Sequence, residues 1–182
     1  MTFGIIRYII PPTPSLIKYA FSLRQIWNDE YLTNSGKQFN LFKLELKEFL
    51  NTNSLSICTN GTLAEECLLA LNKQKGKNEV ITSSYSFIAT SNAIIRSGLK
   101  PIFVDLDDDF SINIEQLTKV ISKKTLAIIP VDVYGLPNKV DEIKKVINGK
   151  DIKLIIDKSH SFGVMNGGQS SICEADFTFA SM

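Results

Sequence analysis

Residues 124–157 read KTLAIIPVDVYGLPNKVDEIKKVINGKDIKLIID. An apolar run, Ala127-Ile128-Ile129-Pro130-Val131, leads into a polar turn. A helical segment near 138–148 and a second apolar run, Leu154-Ile155-Ile156, follow. Strand, helix, strand is the repeating unit of a parallel sheet. The runs are continuous rather than alternating, as expected of strands buried on both faces. The same rhythm extends outward. Further runs are Ser56-Ile57-Cys58, Val80-Ile81, Ile102-Phe103-Val104 and Phe177-Thr178-Phe179, with helical segments near 62–72, 87–97 and 114–122 between them. The expected fold class is α/β, three layers (α/β/α) around a mostly parallel sheet.

Before residue 55 the pattern differs. Residues 1–12 form a short apolar arm ended by Pro11-Pro12. Thr13 is placed to cap a first helix, with Pro14 at its first position. Leu16, Tyr19, Ala20, Leu23 and Trp27 recur at helical spacing, and after a turn at 32–36 a second helix carries Phe39, Phe42, Leu46, Phe49 and Leu50 on one face. Residues 1–54 are therefore read as an arm and two helices, and 55–182 as the α/β part.

Composition excludes several classes. At 44% hydrophobic and 21% charged residues, the 182-residue chain is too apolar to be disordered. A net charge of +1 gives no basic field for nucleic acid or a membrane surface. His160 is the single histidine, so two-histidine metal motifs are excluded. Cys58, Cys67 and Cys173 are too far apart for a CxxC zinc pair, and no metal site is expected. An odd, sparse cysteine count fits a reducing compartment. No stretch reaches the roughly 18–20 apolar residues of a membrane helix. The start, MTFGIIRYII, is interrupted by Arg7 and has no small-residue cleavage site, so a cytoplasmic protein is expected.

In open α/β sheets, ligands sit beyond the carboxyl ends of the strands. Asn60-Gly61-Thr62 stands there, where a helix begins. Free backbone N–H groups and the helix dipole make it a phosphate site, or else a plain cap. Asp157 ends a buried run and needs a partner: a cationic ligand group, or a cap for the next helix. His160 lies three residues on, as a structural partner or a pocket residue. Phe87 opens a helix, either packing in the core or stacking on a flat ring. The fingerprints GxGxxG, GxxxxGK[ST] and GxSxG are absent. Phosphate, planar ring and protonated ring nitrogen together describe pyridoxal 5′-phosphate.

From about residue 12 onward, the chain resembles the N-terminal half of DegT/StrS-type sugar-nucleotide aminotransferases of fold-type I. The resemblance rests on Ile26–Asn34, Asn60–Ala64, Ser84–Ala93, Lys100–Asp105, Ile129–Gly135 and Ile156–Gly163, in that order. It implies that residues 55–182 are part of a cofactor-binding large domain. It also implies that Gly61, Thr62 and the Leu63 backbone hold the cofactor phosphate, with Ser181 near it, and that Phe87 stacks on the ring. Asp157 would pair with the ring nitrogen, and His160 would stand near the ring and its 3-hydroxyl. The implied substrates are a keto-sugar nucleotide and an amino-acid donor, glutamate by resemblance, and the full-length enzyme would be a homodimer.

The departures count equally. The Schiff-base lysine of the family follows a segment like Asp176–Ser181, and this sequence has no lysine after Lys158. Lys158 stands where the family has a small residue and is not expected to substitute. The reading is an N-terminal fragment of such an aminotransferase. The alternatives are a catalytically inactive remnant or partner subunit, or a relative that dehydrates sugars with the same cofactor.

Overall fold

The computed structural model describes residues 13–166, 169–170 and 174–181. The arm expected at 1–12 and Cys173 lie outside them. The chain divides into two compact units, one ending at Phe49 and one beginning at Leu50.

The first unit holds α1 (Leu16–Asp29) and α2 (Lys37–Phe49). Gln38 Nε2 donates to Gln25 Oε1 at 3.1 Å, and Lys37 pairs with Asp29, tying the two helices together. Helix α1 starts later than Thr13-Pro14 implied. Ser15 is still extended (ψ 126°), and the first helical bond runs from the Tyr19 N–H to the Ser15 carbonyl. Thr13 therefore caps nothing.

The second unit runs α3 (Gly61–Leu71), β1 (Glu79–Ser83), α4 (Ile88–Arg96), β2 (Lys100–Val104), α5 (Ile114–Val120), β3 (Thr125–Ile129) and α6 (Val140–Ile147). Strand β4 (Lys153–Asp157), a two-residue hairpin β5–β6 (Met165–Asn166, Gln169–Ser170) and β7 (Phe177–Phe179) complete it. The main sheet has the order β2-β1-β3-β4-β7, and every pair in it is parallel.

Two apolar clusters make the three layers. Leu69 of α3 and Ile94 of α4 pack with Val80, Ala127, Ile129, Ile155 and Phe179 on one face. Leu117 of α5 and Val140 and Ile143 of α6 pack with Ile81, Val104, Ile128, Leu154 and Ile156 on the other. Strand residues alternate between the faces. Ile155 belongs to the α3–α4 face, so Asp157, two residues on, belongs there too.

One expected strand is not formed. Residues 54–58 make no ladder with any described strand. Ser56-Ile57-Cys58 has the apolar character of a strand, but a strand exists only through a partner's hydrogen bonds.

The chain leaves β1 toward β2 on one side and returns to β3 on the other. The crevice for a ligand therefore opens beyond the carboxyl ends of β1 and β3.

Candidate functional site

Three segments converge at the start of α3. Asn60 caps the helix, its Oδ1 accepting the Leu63 N–H at 2.8 Å. Gly61 comes next and is buried. A Cβ placed there would lie 3.3 Å from Ser181 Cβ and 3.8 Å from Ser159 Oγ. Glycine lets the helix start approach the loops after β4 and β7 this closely without displacing Ser181. The leading N–H groups carry the positive end of the dipole of an eleven-residue helix, a natural seat for an anion. Thr62 is half-buried beside them. The Leu63 N–H is already bonded to Asn60, which leaves Gly61 and Thr62 as the leading donors.

Asp157 is buried, 7% exposed, at the end of β4. Its N–H donates to the Pro130 carbonyl and its own carbonyl accepts the Asp132 N–H, each at 3.0 Å, fixing the backbone between β3 and β4. Oδ1 accepts the Ser159 N–H at 2.9 Å. Burial raises the carboxyl above the usual carboxylate range. The bonds from Ser159 and the nearby His160 pull the other way, while the charge of Asp132 adds to the rise. Among the described residues this carboxylate has no salt-bridge partner.

Lys158 does not pair with Asp157. Its side chain runs to Asp132, with Nζ 2.7 Å from Oδ2 and both groups almost fully buried. Ser161 Oγ donates to the same oxygen at 2.9 Å. The Asn138 N–H and Nδ2 both donate to Oδ1 at 3.0 Å. Nδ2 also donates to the Val131 carbonyl, and Asn138 Oδ1 accepts the Ile112 N–H. The network locks the loop after β3 to the loop after β4. Sequence reading placed Asp132 at a strand end but gave it no partner, because the pair is 26 residues apart.

His160 is exposed and lies over the loop after β3. Its ring stacks on Tyr134 (centroids 6.3 Å apart, planes at 18°), and Nδ1 accepts the Tyr134 N–H at 3.4 Å. Tyr134 and Gly135 both have positive φ, 55° and 83°. A Cβ at Gly135 would lie 3.3 Å from the His160 carbonyl, so glycine suits both the turn and the approach. Tyr134 Oη and Tyr85 Oη are 2.8 Å apart, and the phenol of Tyr134 is pushed up chiefly by that bond. Tyr85, Tyr134 and Phe110 form an edge-on aromatic group beside a cleft of about 680 Å³ lined by Ser84, Tyr85, Asp105, Asp107 and Phe110.

Phe87 precedes α4 with 74% of its surface exposed. That overturns its core-packing reading and leaves a free ring at the site's end of the sheet.

Glu65 was missed by sequence reading. It is 1% exposed on α3, and its Oε1 is buried without a hydrogen-bond partner. Burial, then the charges of Asp157 and Glu66, push its carboxyl up to about 9. The available signal was its spacing: Gly61, Glu65 and Leu69 fall at i, i+4, i+8, one face of a helix. Among the described residues, no cluster of metal-ligating side chains is found, and no helix is long and apolar enough to cross a membrane.

Comparison with known proteins bears directly on this arrangement. The sequence profile of the DegT/DnrJ/EryC1/StrS aminotransferase family matches residues 19–181. The dTDP-4-amino-4,6-dideoxy-D-glucose transaminase of Escherichia coli is 38% identical over 161 residues, covering 87% of this chain and 43% of that protein. The structure of Helicobacter pylori PseC, an aminotransferase involved in the biosynthesis of pseudoaminic acid, superposes with a TM-score of 0.86 at 29% identity, over 96% of this chain and 47% of that one. E. coli GDP-4-keto-6-deoxy-D-mannose-3-dehydratase with bound hydrated PLP shares the fold, with a TM-score of 0.79 at 24% identity, covering 91% and 44%. The chain spans a little under half the length of these relatives.

Proposed function

The chain belongs to the DegT/DnrJ/EryC1/StrS aminotransferase family, and from that premise we propose that it forms the cofactor-binding half of a pyridoxal 5′-phosphate-dependent enzyme transferring an amino group to a keto-sugar nucleotide. One observation carries the reading. The α3 N-terminus, cradled at Gly61 by Ser159 and Ser181, stands on the same face of the sheet as Asp157, a buried carboxylate with no salt-bridge partner among the described residues.

The residues fit the cofactor. Its phosphate would rest on the Gly61 and Thr62 N–H groups, the Thr62 hydroxyl and Ser181, with Leu63 contributing if its N–H turned from Asn60. Asp157 would hold the proton on the ring nitrogen, the exposed Phe87 ring would cover one side, and His160 would stand near the 3-hydroxyl. Bound so, the cofactor supplies the electron sink for amino transfer.

The chain's own part is to bind and orient. Lys158 is committed to Asp132, and no lysine follows it in the sequence. The amine that anchors the cofactor and moves the proton would therefore come from outside these residues. The amino donor, read as glutamate, and a homodimeric full-length protein belong to the same proposal. The complete absence of buried residues from α1 and α2 supports a partner surface.

The test is an intact mass of the native protein after adding pyridoxal 5′-phosphate and reducing with borohydride. A species near twice the 20.3 kDa of this chain, carrying one reduced cofactor, supports the reading. A species of this chain's mass that neither carries nor reversibly binds the cofactor would sink it.

A further inference from the structure

Glu65 lies within the site's architecture but has no part in the function proposed above. Gly61, Glu65 and Leu69 share one face of α3. At one end of that face, Gly61 meets Ser159 and Ser181. At the other end, Leu69 packs with Ile155 and Phe179. Glu65 is therefore held between the helix start and β4, on the side where Asp157 follows Ile155. It is 1% exposed and its Oε1 has no partner. Burying a carboxyl oxygen without a hydrogen bond is costly, and a group that meets it offsets that cost.

We propose that Glu65 is a positioning residue of the cofactor site: a neutral carboxylic acid that donates a hydrogen bond to the Asp157 carboxylate, holding it ionised and aimed for a cationic ring nitrogen. The inference rests on the site reading above.

The surrounding charges agree with it. The charges that act on Glu65 are those of Asp157 on β4 and Glu66 on its own helix, and Glu66 is in turn paired with Arg96 of α4 at 3.1 Å. No cation is found among the groups that act on Glu65, so the proton stays on it across the neutral range. The charges that act on Asp157 include Asp132, already paired with Lys158, and His160. Of the two site carboxyls, Asp157 is the one with donors around its charged form. A carboxyl–carboxylate bond is charge-assisted and favours ionisation of the acceptor.

The test compares the 182-residue chain with Glu65→Gln and Glu65→Leu. Glutamine keeps a neutral donor of the same shape, and leucine removes it. At pH 7 the wild type should show the infrared band of a protonated side-chain carboxyl, missing from Glu65→Gln. In a ¹³C NMR titration, with Asp157 assigned through Asp157→Asn, the midpoint of Asp157 should rise by about one pH unit in Glu65→Leu and stay near wild type in Glu65→Gln. Affinity for pyridoxal 5′-phosphate should fall about tenfold in Glu65→Leu and be largely rescued by Glu65→Gln. Absence of the acid band from the wild type, or one Asp157 midpoint in all three proteins, overturns the proposal. The first two readouts need no cofactor. A chain that passes them but binds no pyridoxal 5′-phosphate would overturn the site reading instead, leaving the Glu65–Asp157 bond standing.

Discussion

Two pairs of buried ionisable groups stand at the same end of the sheet and are built in opposite ways. Asp132 and Lys158 satisfy each other. The aspartate takes four hydrogen bonds, from Lys158, Ser161 and twice from Asn138. Asp157 and Glu65 do not. Among the described residues, one is a carboxylate with a backbone donor and no salt bridge, and the other is a carboxyl with an orphaned oxygen. The first pair is scaffold: it closes two strand-end loops and leaves nothing for a ligand. The second is unfinished in the way a binding site is unfinished. Neighbouring buried charges thus separate structure from function by whether their bonding is complete.

The sharpest way to break this comparison is to unpair the scaffold. Asp132→Ala leaves the Lys158 ammonium buried with no counter-charge and should cost about 3–5 kcal/mol in urea unfolding. The double variant Asp132→Leu with Lys158→Met should recover most of that loss, because two apolar side chains need no partner. A double variant no better than the single one would mean the network does more than satisfy itself.

Asp157→Asn should act in the opposite sense. Loss of a charge-assisted bond to a ring nitrogen is worth on the order of 1.5–3 kcal/mol, so affinity for pyridoxal 5′-phosphate should drop about ten- to a hundredfold by equilibrium titration. Unfolding stability should hold or improve, because a buried charge has been removed. Loss of stability with unchanged affinity would move Asp157 into the scaffold class.

The pH dependence distinguishes the pairs without a ligand. The Glu65 carboxyl is raised from 4.5 to about 9 in the fold. Its contribution is fully present below the unfolded value and is lost as pH rises through the folded one. Thermal melts of the wild type should therefore fall across that window, with a slope of at most about 1.4 kcal/mol per pH unit from this group. Glu65→Gln should flatten the slope. An unchanged slope in that variant would assign the dependence to other groups.

Gly61→Ala should be the mildest. The new methyl meets Ser181 Cβ at 3.3 Å, a contact that a small shift relieves, so stability should change by about 1 kcal/mol or less. Phosphate competition against pyridoxal 5′-phosphate should nevertheless weaken several-fold, because the cradle at the helix start is displaced. Equal phosphate affinity would argue that the anion seat lies elsewhere.

Much of this was legible from residue patterns. The runs at 80–81, 102–104, 154–156 and 177–179 all fall inside strands, and the run at 127–131 overlaps β3, which ends at Ile129. The helical segments near 62–72, 87–97, 114–122 and 138–148 all hold helices. These signals are local: continuous apolar runs and a 3.6-residue period. The failures were non-local. Ser56-Ile57-Cys58 looks like a strand but has no ladder partner among the described residues. The cap expected at Thr13 moved to Ser15, because the backbone there remains extended.

The sequence alone determined the fold class, the order of its elements and the strand ends where chemistry gathers. Spacing and side-chain polarity suffice for those. Only the tertiary structure decided which charges at those ends are spent. Lys158 and Asp157 are adjacent in the chain, and sequence reading gave Asp157 a site role and Lys158 no partner. Successive residues leaving a strand point to opposite sides, so one reaches across to Asp132 and the other lies on the face that α3 covers. That division depends on a partner 26 positions away in sequence, and no local pattern encodes it.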